Sequence, residues 1–373
     1  MMWFSGHNNT RYLPRRQKSN TPATPLLSTT ANHQKLPLPL TPNPLPLYNL
    51  PMILAGIDEA GYGPLLGPLV VGCCAFQLHP DPGEDLPCLW KRFRRVASKS
   101  RDRKGAKIHI NDSKLVYSSA TGLKELERAV LTLAATIGFT SEELPGFLER
   151  VAPDAWPQIK LHPWYRAFDG EKFPIEHHPV AIRMLANSFS AEMQRVSTRC
   201  VHLAAKVLPE IQLNRLLQHT HNKSSVLFSL AAAHLDHLLR HFGQQQLVIF
   251  CDRQGSREHY GRLLRLMFED WALEIRIEAD GVSEYGLTQS GHTVRLIFAE
   301  KAETQCLPVA VASMLCKYLR EALMRRFNAY WRSLLPNLQP TAGYYTDGMR
   351  FLKDIDEKRR QLAIPDTDLI RQR

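Results

Sequence analysis

The chain of 373 residues contains no run of about 18 uninterrupted apolar residues, so the sequence predicts no transmembrane helix. The N-terminus also lacks the apolar segment and cleavage pattern of a secretory signal peptide. Its seven cysteines include no Cys-x-x-Cys pair and stand mostly in apolar runs, which favours reduced, buried thiols over disulfides or a zinc site. These absences predict a cytoplasmic protein with no membrane partner and no evident obligate protein partner.

Acidic residues are missing from residues 1–51, which hold nine of the 25 prolines and five Lys or Arg residues. The Leu-Pro alternation within 36–47 cannot build a helix, because proline removes a donor and restricts the residue before it. We expect a disordered, basic tail. Because Met52 directly precedes the first predicted strand, an over-long start assignment explains the segment equally well.

The remaining sequence is that of a globular α/β protein. A hydrophobic content of 44% suffices for a sizeable core, and a net charge of +11 favours a polyanionic partner. Apolar runs and helical spacings predict strands at 53–58, 68–77, 201–207, 247–251, 273–279 and 293–299, and helices at 119–137, 180–198, 224–242, 256–271 and 305–327. The expected organisation is a catalytic domain at 52–355 with an irregular or helical insertion at about 139–199, followed by a C-terminal tail at 356–373.

The most informative segment is the end of the first predicted strand. Asp58 and Glu59 end this strand, and a turn containing Gly61, Gly63 and Gly67 follows. Glycines lack a Cβ and tolerate unusual dihedral angles, so a phosphate backbone can approach the turn closely. A second strand ends in another acid, Asp252. Neighbouring strand-end carboxylates suit hard cations, which predicts a site for two divalent ions, Mg²⁺ or Mn²⁺.

Glu321 is a candidate for the fourth acid. It follows Ser313 and Lys317 at steps of four residues, beside the apolar stripe of the predicted helix at 305–327. This spacing is compatible with a carboxylate at the edge of the core that points towards the strand ends. The alternative is an ordinary ion pair between Lys317 and Glu321 on a solvated face.

Six motifs, in order, resemble those of the type 2 ribonucleases H, the ribonuclease HII/HIII family. They are Gly56-Ile57-Asp58-Glu59-Ala60-Gly61-x-Gly63-Pro64-x-x-Gly67-Pro68, Asp112-Ser113-Lys114, Glu210-Ile211-x-x-Asn214, Phe250-Cys251-Asp252 with Gly255, Ala312-Ser313-Met314-Leu315-Cys316-Lys317-x-x-Arg320-Glu321-x-Leu323-Met324, and Gly343-Tyr344-x-Thr346.

The resemblance implies an RNase H-like fold, a central mixed β-sheet flanked by helices. It also implies a metal-dependent endonuclease that cleaves the RNA strand of RNA–DNA hybrids, or ribonucleotide-containing duplexes. By position, the implied metal-binding and catalytic residues are Asp58, Glu59, Asp252 and Glu321. The implied substrate-binding residues are Gly61, Tyr62, Gly63, Lys114, Lys317 and Tyr344.

Some positions depart from the family pattern. Tyr62 stands where an arginine is usual, Glu321 where the ribonuclease HII branch has aspartate, and Gly255 follows Asp252 only after two further residues. These departures motivate an alternative: a nucleic-acid-binding relative with the same fold and little or no cleavage.

Two further patterns have open interpretations. The stretch 91–107 is strongly basic and is either a phosphate-binding segment beside Asp112 or a solvated surface. His234, His237 and His241 recur on one face of the helix predicted at 224–242. They form either a transition-metal site or a set of ordinary, partly buried histidines.

Overall fold

The structure is a computed structural model, and it describes residues 50–81, 83–118, 120–166 and 172–372. The predicted tail at 1–51 lies outside these residues except for its last two positions. Of the helices in the described ranges, none has the length and apolar character needed to span a bilayer.

A mixed β-sheet forms the centre of the described chain. Seven strands lie side by side in the order β5-β2-β1-β6-β9-β8-β7, and the short strands β3 and β4 pair separately. The strands are β1 (Met52–Ala60), β2 (Leu69–Leu78), β3 (Ala97–Ser98), β4 (Ile108–His109), β5 (Thr198–Leu208), β6 (Gln246–Asp252), β7 (Ala272–Ala279), β8 (Val282–Gln289) and β9 (His292–Ala299).

Helices cover both faces of this sheet. They are α1 (Leu89–Arg92), α2 (Ser113–Val116), α3 (Lys124–Thr136), α4 (Leu144–Val151), α5 (Trp156–Ile159), α6 (Pro163–Arg166), α7 (Pro179–Arg195), α8 (Glu210–Thr220), α9 (Lys223–Phe242), α10 (Gly261–Met267), α11 (Ala302–Gln305), α12 (Leu307–Leu334), α13 (Tyr345–Gln361) and α14 (Asp366–Leu369). The expected α/β class, with a central mixed sheet flanked by helices, is confirmed.

The sheet's two faces have separate apolar cores. Alternate residues of a strand point to opposite faces, so Leu54 of β1 packs into the core that contains α12, and Ile57 into the core that contains α9. Helix α12 is buried over most of its length and lies against β1 and β2. It approaches β1 so closely at Gly56 that an added Cβ would lie 2.1 Å from the backbone nitrogen of Val309.

Several elements differ from those predicted. Strand β8 was missed because it contains the polar residue Glu284, which is buried. Arg295 of β9 compensates the charge, since its Nε donates a hydrogen bond of 2.9 Å to Oε1 of Glu284. Helix α8 was also missed, and the helix expected at 256–271 is the shorter α10.

The expected insertion holds the helices α4 to α7. The C-terminal segment at 356–373 is no simple tail: α13 continues into it, α14 follows, and Arg371 is buried.

The close approach at Gly56 leads to a stability prediction. Gly56→Ala should lower the free energy of unfolding by about 3 kcal/mol or more, because the methyl group collides with helix backbone that cannot rotate away. Gly63→Ala is the matched control, since no heavy atom beyond Gly63 and its two chain neighbours lies within 4 Å of an added Cβ. Urea unfolding measures both; equal stabilities for the two variants would contradict the prediction.

Candidate functional site

Parallel pairing places acids from three elements at one edge of the sheet. Strands β1 and β6 are parallel with Ile57 opposite Cys251, so Asp58 and Asp252 follow at neighbouring positions. Strand β9 runs parallel to β6, and its last residue, Ala299, pairs with Asp252. The chain then turns into α11, which carries Glu303. The carboxyl ends of three adjacent strands therefore meet at one acidic edge.

The first two acids of this edge are electrostatically unfavourable neighbours. Burial raises the pKa of Asp58 well above its usual range, and the charges of Glu59 and Asp252 raise it further. Burial and the charge of Asp252 raise the pKa of Glu59 from 4.5 to about 8, while Lys114 lowers it. Asp58 also accepts a hydrogen bond of 2.6 Å from the backbone N–H of Glu59. Both carboxyls would gain from a nearby cation.

Glu303 joins the edge next to Asp252. Burial raises the pKa of Asp252, and burial, with the charges of Asp252 and Asp112, raises the pKa of Glu303 to about 6. The two carboxyls share a hydrogen bond, and Asp252 also accepts one of 3.1 Å from the N–H of Ala302. Glu303 is therefore a fourth acid of this edge, and the sequence analysis missed it.

Lys114, in the motif Asp112-Ser113-Lys114, lies beside the acids. Asp112 caps α2 by accepting a hydrogen bond of 2.9 Å from the N–H of Lys114. The Lys114 side chain is exposed, and its charge lowers the pKa of both Glu59 and Asp252. The basic stretch also reaches this edge, since Lys99 Nζ donates to the Thr304 carbonyl over 2.8 Å.

The donor set fits hard divalent cations. Asp58, Glu59, Asp252 and Glu303 offer only carboxylate oxygens, which Mg²⁺ and Mn²⁺ prefer, and three of these acids come from different elements of a rigid sheet edge. In the described chain, no three of these acids bring their oxygens within 4.8 Å of one another. Like charges repel, which keeps these carboxylates apart when no cation is bound. The side chains would therefore have to rotate towards one another when a cation binds.

The structure does not bring Glu321 to this edge. Its carboxylate accepts hydrogen bonds from Lys317 Nζ at 2.7 Å, Arg320 at 3.1 Å and the Tyr117 hydroxyl at 3.1 Å. The helix residue that bonds to Asp58 is Ser313, and Glu321 lies eight residues, or about 12 Å of helix axis, beyond it. The expectation that Glu321 is the fourth metal-binding acid is therefore corrected. The alternative ion pair with Lys317 is observed, but its side chains are only 15% and 11% exposed and do not lie on a solvated face.

The glycine-rich turn at 61–67 is held by buried charged groups. Arg371 is 2% exposed and donates to the carbonyls of Gly61, Tyr62 and Gly67. Glu210, which is fully buried, accepts a hydrogen bond of 3.0 Å from the N–H of Gly67. Gly61 itself has φ of 86°, in the left-handed region that favours glycine. Buried side chains thus hold the inner side of the turn, while Gly63 is exposed to solvent.

The expected substrate-binding side chains lie around the acidic edge and the turn. Lys223 Nζ lies over the ring of Tyr62, 5.0 Å from the ring centroid. Burial raises the pKa of Tyr62, and the charge of Glu59 raises it further. Tyr344 is 54% exposed and lies against Arg320, while Lys317 covers the ring of Tyr117 at 4.4 Å. An exposed aromatic ring and several cations therefore surround the site.

A signal for Glu303 exists in the sequence. The apolar strand that ends at Ala299 runs parallel to the strand that ends at Asp252, so an acid shortly after either strand reaches the same edge. The stretch also contains Glu300, which pairs with Arg253 instead. Only the fold distinguishes these two glutamates.

No protein-family model and no curated protein sequence matches this chain. Among solved structures, it is similar to RNase HII of Archaeoglobus fulgidus in complex with PCNA, with 14% identity, a TM-score of 0.37, and coverage of 86% of this chain and 94% of that chain. It is also similar to ribonuclease H2 of Pyrococcus horikoshii OT3, with 14% identity, a TM-score of 0.36, and coverage of 85% and 92%. For RNase H3 of Aquifex aeolicus the identity is 11%, the TM-score 0.31, and the coverage 85% and 70%. Similarities this distant assign no activity to the chain.

Burial and repulsion at the acidic edge predict a pH-dependent stability in the presence of a chelator. Between pH 4.5 and about 8, folded Glu59 retains a proton that the unfolded chain has released. The free energy of unfolding should therefore fall as the pH rises through this window. Glu59→Gln should make the fall smaller, whereas Glu142→Gln, at an exposed side chain, should not. Urea unfolding at several pH values tests this, and identical slopes for Glu59→Gln and the wild type would contradict it.

The contacts of Arg371 predict a local change in dynamics. Arg371→Ala leaves the carbonyls of Gly61, Tyr62 and Gly67 without this donor, so backbone amides of the turn should exchange with solvent at least about tenfold faster. Gln372→Ala is the control, because Gln372 bonds to Asn214 through its backbone N–H. Hydrogen–deuterium exchange measures both variants; unchanged rates in Arg371→Ala would refute the assigned role.

Proposed function

We propose that this protein is a divalent-metal-dependent endonuclease of the type 2 ribonuclease H kind. Its substrate would be the RNA strand of an RNA–DNA hybrid, or a ribonucleotide within duplex DNA. The observation that carries the proposal is the convergence of Asp58, Glu59, Asp252 and Glu303 at one sheet edge. Burial raises the pKa of each, and neighbouring carboxylates raise those of Asp58, Glu59 and Glu303 further. The six family-like motifs occur in order along the chain, and two of them contain Asp58, Glu59 and Asp252.

The four acids would hold the cations, with Asp58 and Asp252 on one side and Glu59 and Glu303 completing the set. Bound Mg²⁺ or Mn²⁺ supplies the positive charge that activates water and stabilises the leaving 3′-oxygen of a phosphodiester. Lys114 adds a cation next to Glu59 and Asp252, in position for a phosphate near the scissile bond.

The turn and its surroundings suit a nucleic-acid duplex. A hybrid presents 2′-hydroxyls across a wide, shallow minor groove, which backbone amides and flat rings can contact. The fixed turn at Gly61 and Gly63 offers such amides, and the exposed ring of Tyr344 offers a surface for a sugar. Lys317, next to Tyr117, adds positive charge on the same side as Tyr344.

The alternative is a relative that binds nucleic acid without efficient cleavage. Tyr62 favours it, because this ring stands where the family has a phosphate-binding arginine. The two hypotheses differ in their products. Labelled hybrid, duplex with one embedded ribonucleotide and plain DNA are each incubated with the protein, with and without Mg²⁺ or Mn²⁺. Cation-dependent cleavage of the first or second substrate supports the nuclease; binding without products supports the alternative.

Substitution of the acids tests the assignment residue by residue. Asp58→Asn, Asp252→Asn and Glu303→Gln should each lower the cleavage rate by at least about a thousandfold, because each removes a charge that holds the cations. Glu321→Gln should cost less than about tenfold, since its carboxylate already pairs with Lys317 and Arg320.

Circular dichroism and thermal unfolding serve as controls for folding in all four variants. Near wild-type cleavage by Asp58→Asn or Asp252→Asn would refute the nuclease mechanism. A larger loss in Glu321→Gln than in Glu303→Gln would instead restore Glu321 as the fourth acid and leave the activity itself in place.

A further inference from the structure

A second group of potential metal ligands lies on the other face of the sheet. Cys73 of β2, His202 of β5 and His234 of α9 place one ligand atom each within 4.8 Å of one another. In the described part of the chain, no other set of three or more Cys, His, Asp or Glu side chains meets this criterion. Three separate elements thus converge on one point, and the helical triad His234, His237 and His241 contributes only its first member.

The orientation of His234 suits a metal ligand. Its Nε2 lies 3.0 Å from the carbonyl oxygen of Val71, and a carbonyl can only accept, so Nε2 carries the hydrogen. The lone pair of this ring is therefore on Nδ1. A ligating histidine that donates its other N–H to a backbone carbonyl is the usual arrangement in metal sites, because the bond fixes the tautomer and the ring orientation.

His202 brings a buried nitrogen without a partner. Its Nε2 is buried and has no hydrogen bond to any described residue. Burial and the neighbouring histidines lower the pKa of His202 to about 3, and burial lowers that of His234 to about 4, so both rings are neutral at physiological pH. Neutral imidazole is the form that binds metal, and a buried unpartnered nitrogen costs free energy unless something binds it.

We propose that Cys73, His202 and His234 form a binding site for a transition-metal ion, with Zn²⁺ as the expected occupant. One thiolate and two imidazoles are soft and borderline donors, typical of zinc sites and unlike the oxygen ligands of Mg²⁺. On binding, the Cys73 S–H bond breaks, the sulfur forms the bond to the ion, and the proton leaves to solvent. Burial raises the pKa of this thiol, so affinity should increase with pH.

The surroundings of the site provide a route from solvent and one opposing charge. His202 stacks on His237 at 4.2 Å and His237 on His241 at 4.1 Å, so a row of imidazoles leads from exposed His241 to the buried group. Lys206 opposes a cation, since its charge lowers the pKa of His202 and His234. An ion pair with Asp154 offsets this charge, and the Cys73 thiolate adds a negative charge at the site itself.

The test uses the full-length protein, stripped with a chelator and kept in excess Mg²⁺ so that oxygen sites are filled. Titration with Co²⁺ should produce a thiolate-to-metal charge-transfer band that saturates at one equivalent, and Zn²⁺ should abolish the band by displacement. Zn²⁺ should also raise the melting temperature. Cys73→Ser should remove the band and weaken Zn²⁺ binding by more than about a hundredfold.

Cys200→Ser is the matched control, a buried thiol on β5 outside the proposed set, and it should keep the band. Asp252→Asn should bind Co²⁺ like the wild type, which separates this site from the acidic edge. If Cys73→Ser does not fold, His202→Gln at a partly exposed position provides the same readouts. No charge-transfer band in the wild type, or an undiminished band in Cys73→Ser, would overturn the proposal.

Discussion

The parallel register of β1, β6 and β9 is the constraint on which the acidic edge depends. Hydrogen bonding between these strands fixes Asp58 beside Asp252 and ends β9 opposite Asp252. A slip of β1 by one residue would turn Asp58 to the opposite face and remove it from Ser313. The close approach of α12 at Gly56 opposes such a slip, because other residues of β1 carry a Cβ. Backbone packing two residues before Asp58 therefore helps to position the acids.

The turn at 61–67 illustrates a different use of burial. Glu210, Arg320 and Arg371 are each at most 2% exposed and bond to backbone atoms of the turn. A buried charge is costly unless its hydrogen bonds are made, so these side chains favour a single conformation of the turn. This explains why Glu210 of the Glu-Ile motif lies away from the acids: it holds the backbone that borders them.

The strand-end acids and the main strands could be predicted from the sequence because both are local patterns. Asp58, Glu59 and Asp252 directly follow apolar runs, and a single run is sufficient to identify each. Glu303 could not be predicted in this way, since it lies four residues beyond its strand and Glu300 is a nearer candidate in the same stretch. Glu321 was misjudged because helical spacing gives the face of a side chain but not which turn of the helix lies beside the strand ends. The buried Glu284 likewise concealed β8, because its compensating arginine is on another strand.

The two-residue period of a strand also separates two kinds of ligand chemistry. Gly72 pairs with Asp58, and the next residue of β2, Cys73, pairs with Ile57 and therefore faces the α9 side. Carboxylates that prefer Mg²⁺ or Mn²⁺ thus adjoin a thiol and imidazoles that prefer Zn²⁺, with the backbone of the sheet between Asp58 and Cys73. Neither set offers the other's ion its preferred donors. If zinc binds there, it links β2, β5 and α9 directly behind the strand that carries Asp58, so it would stiffen the edge without entering it.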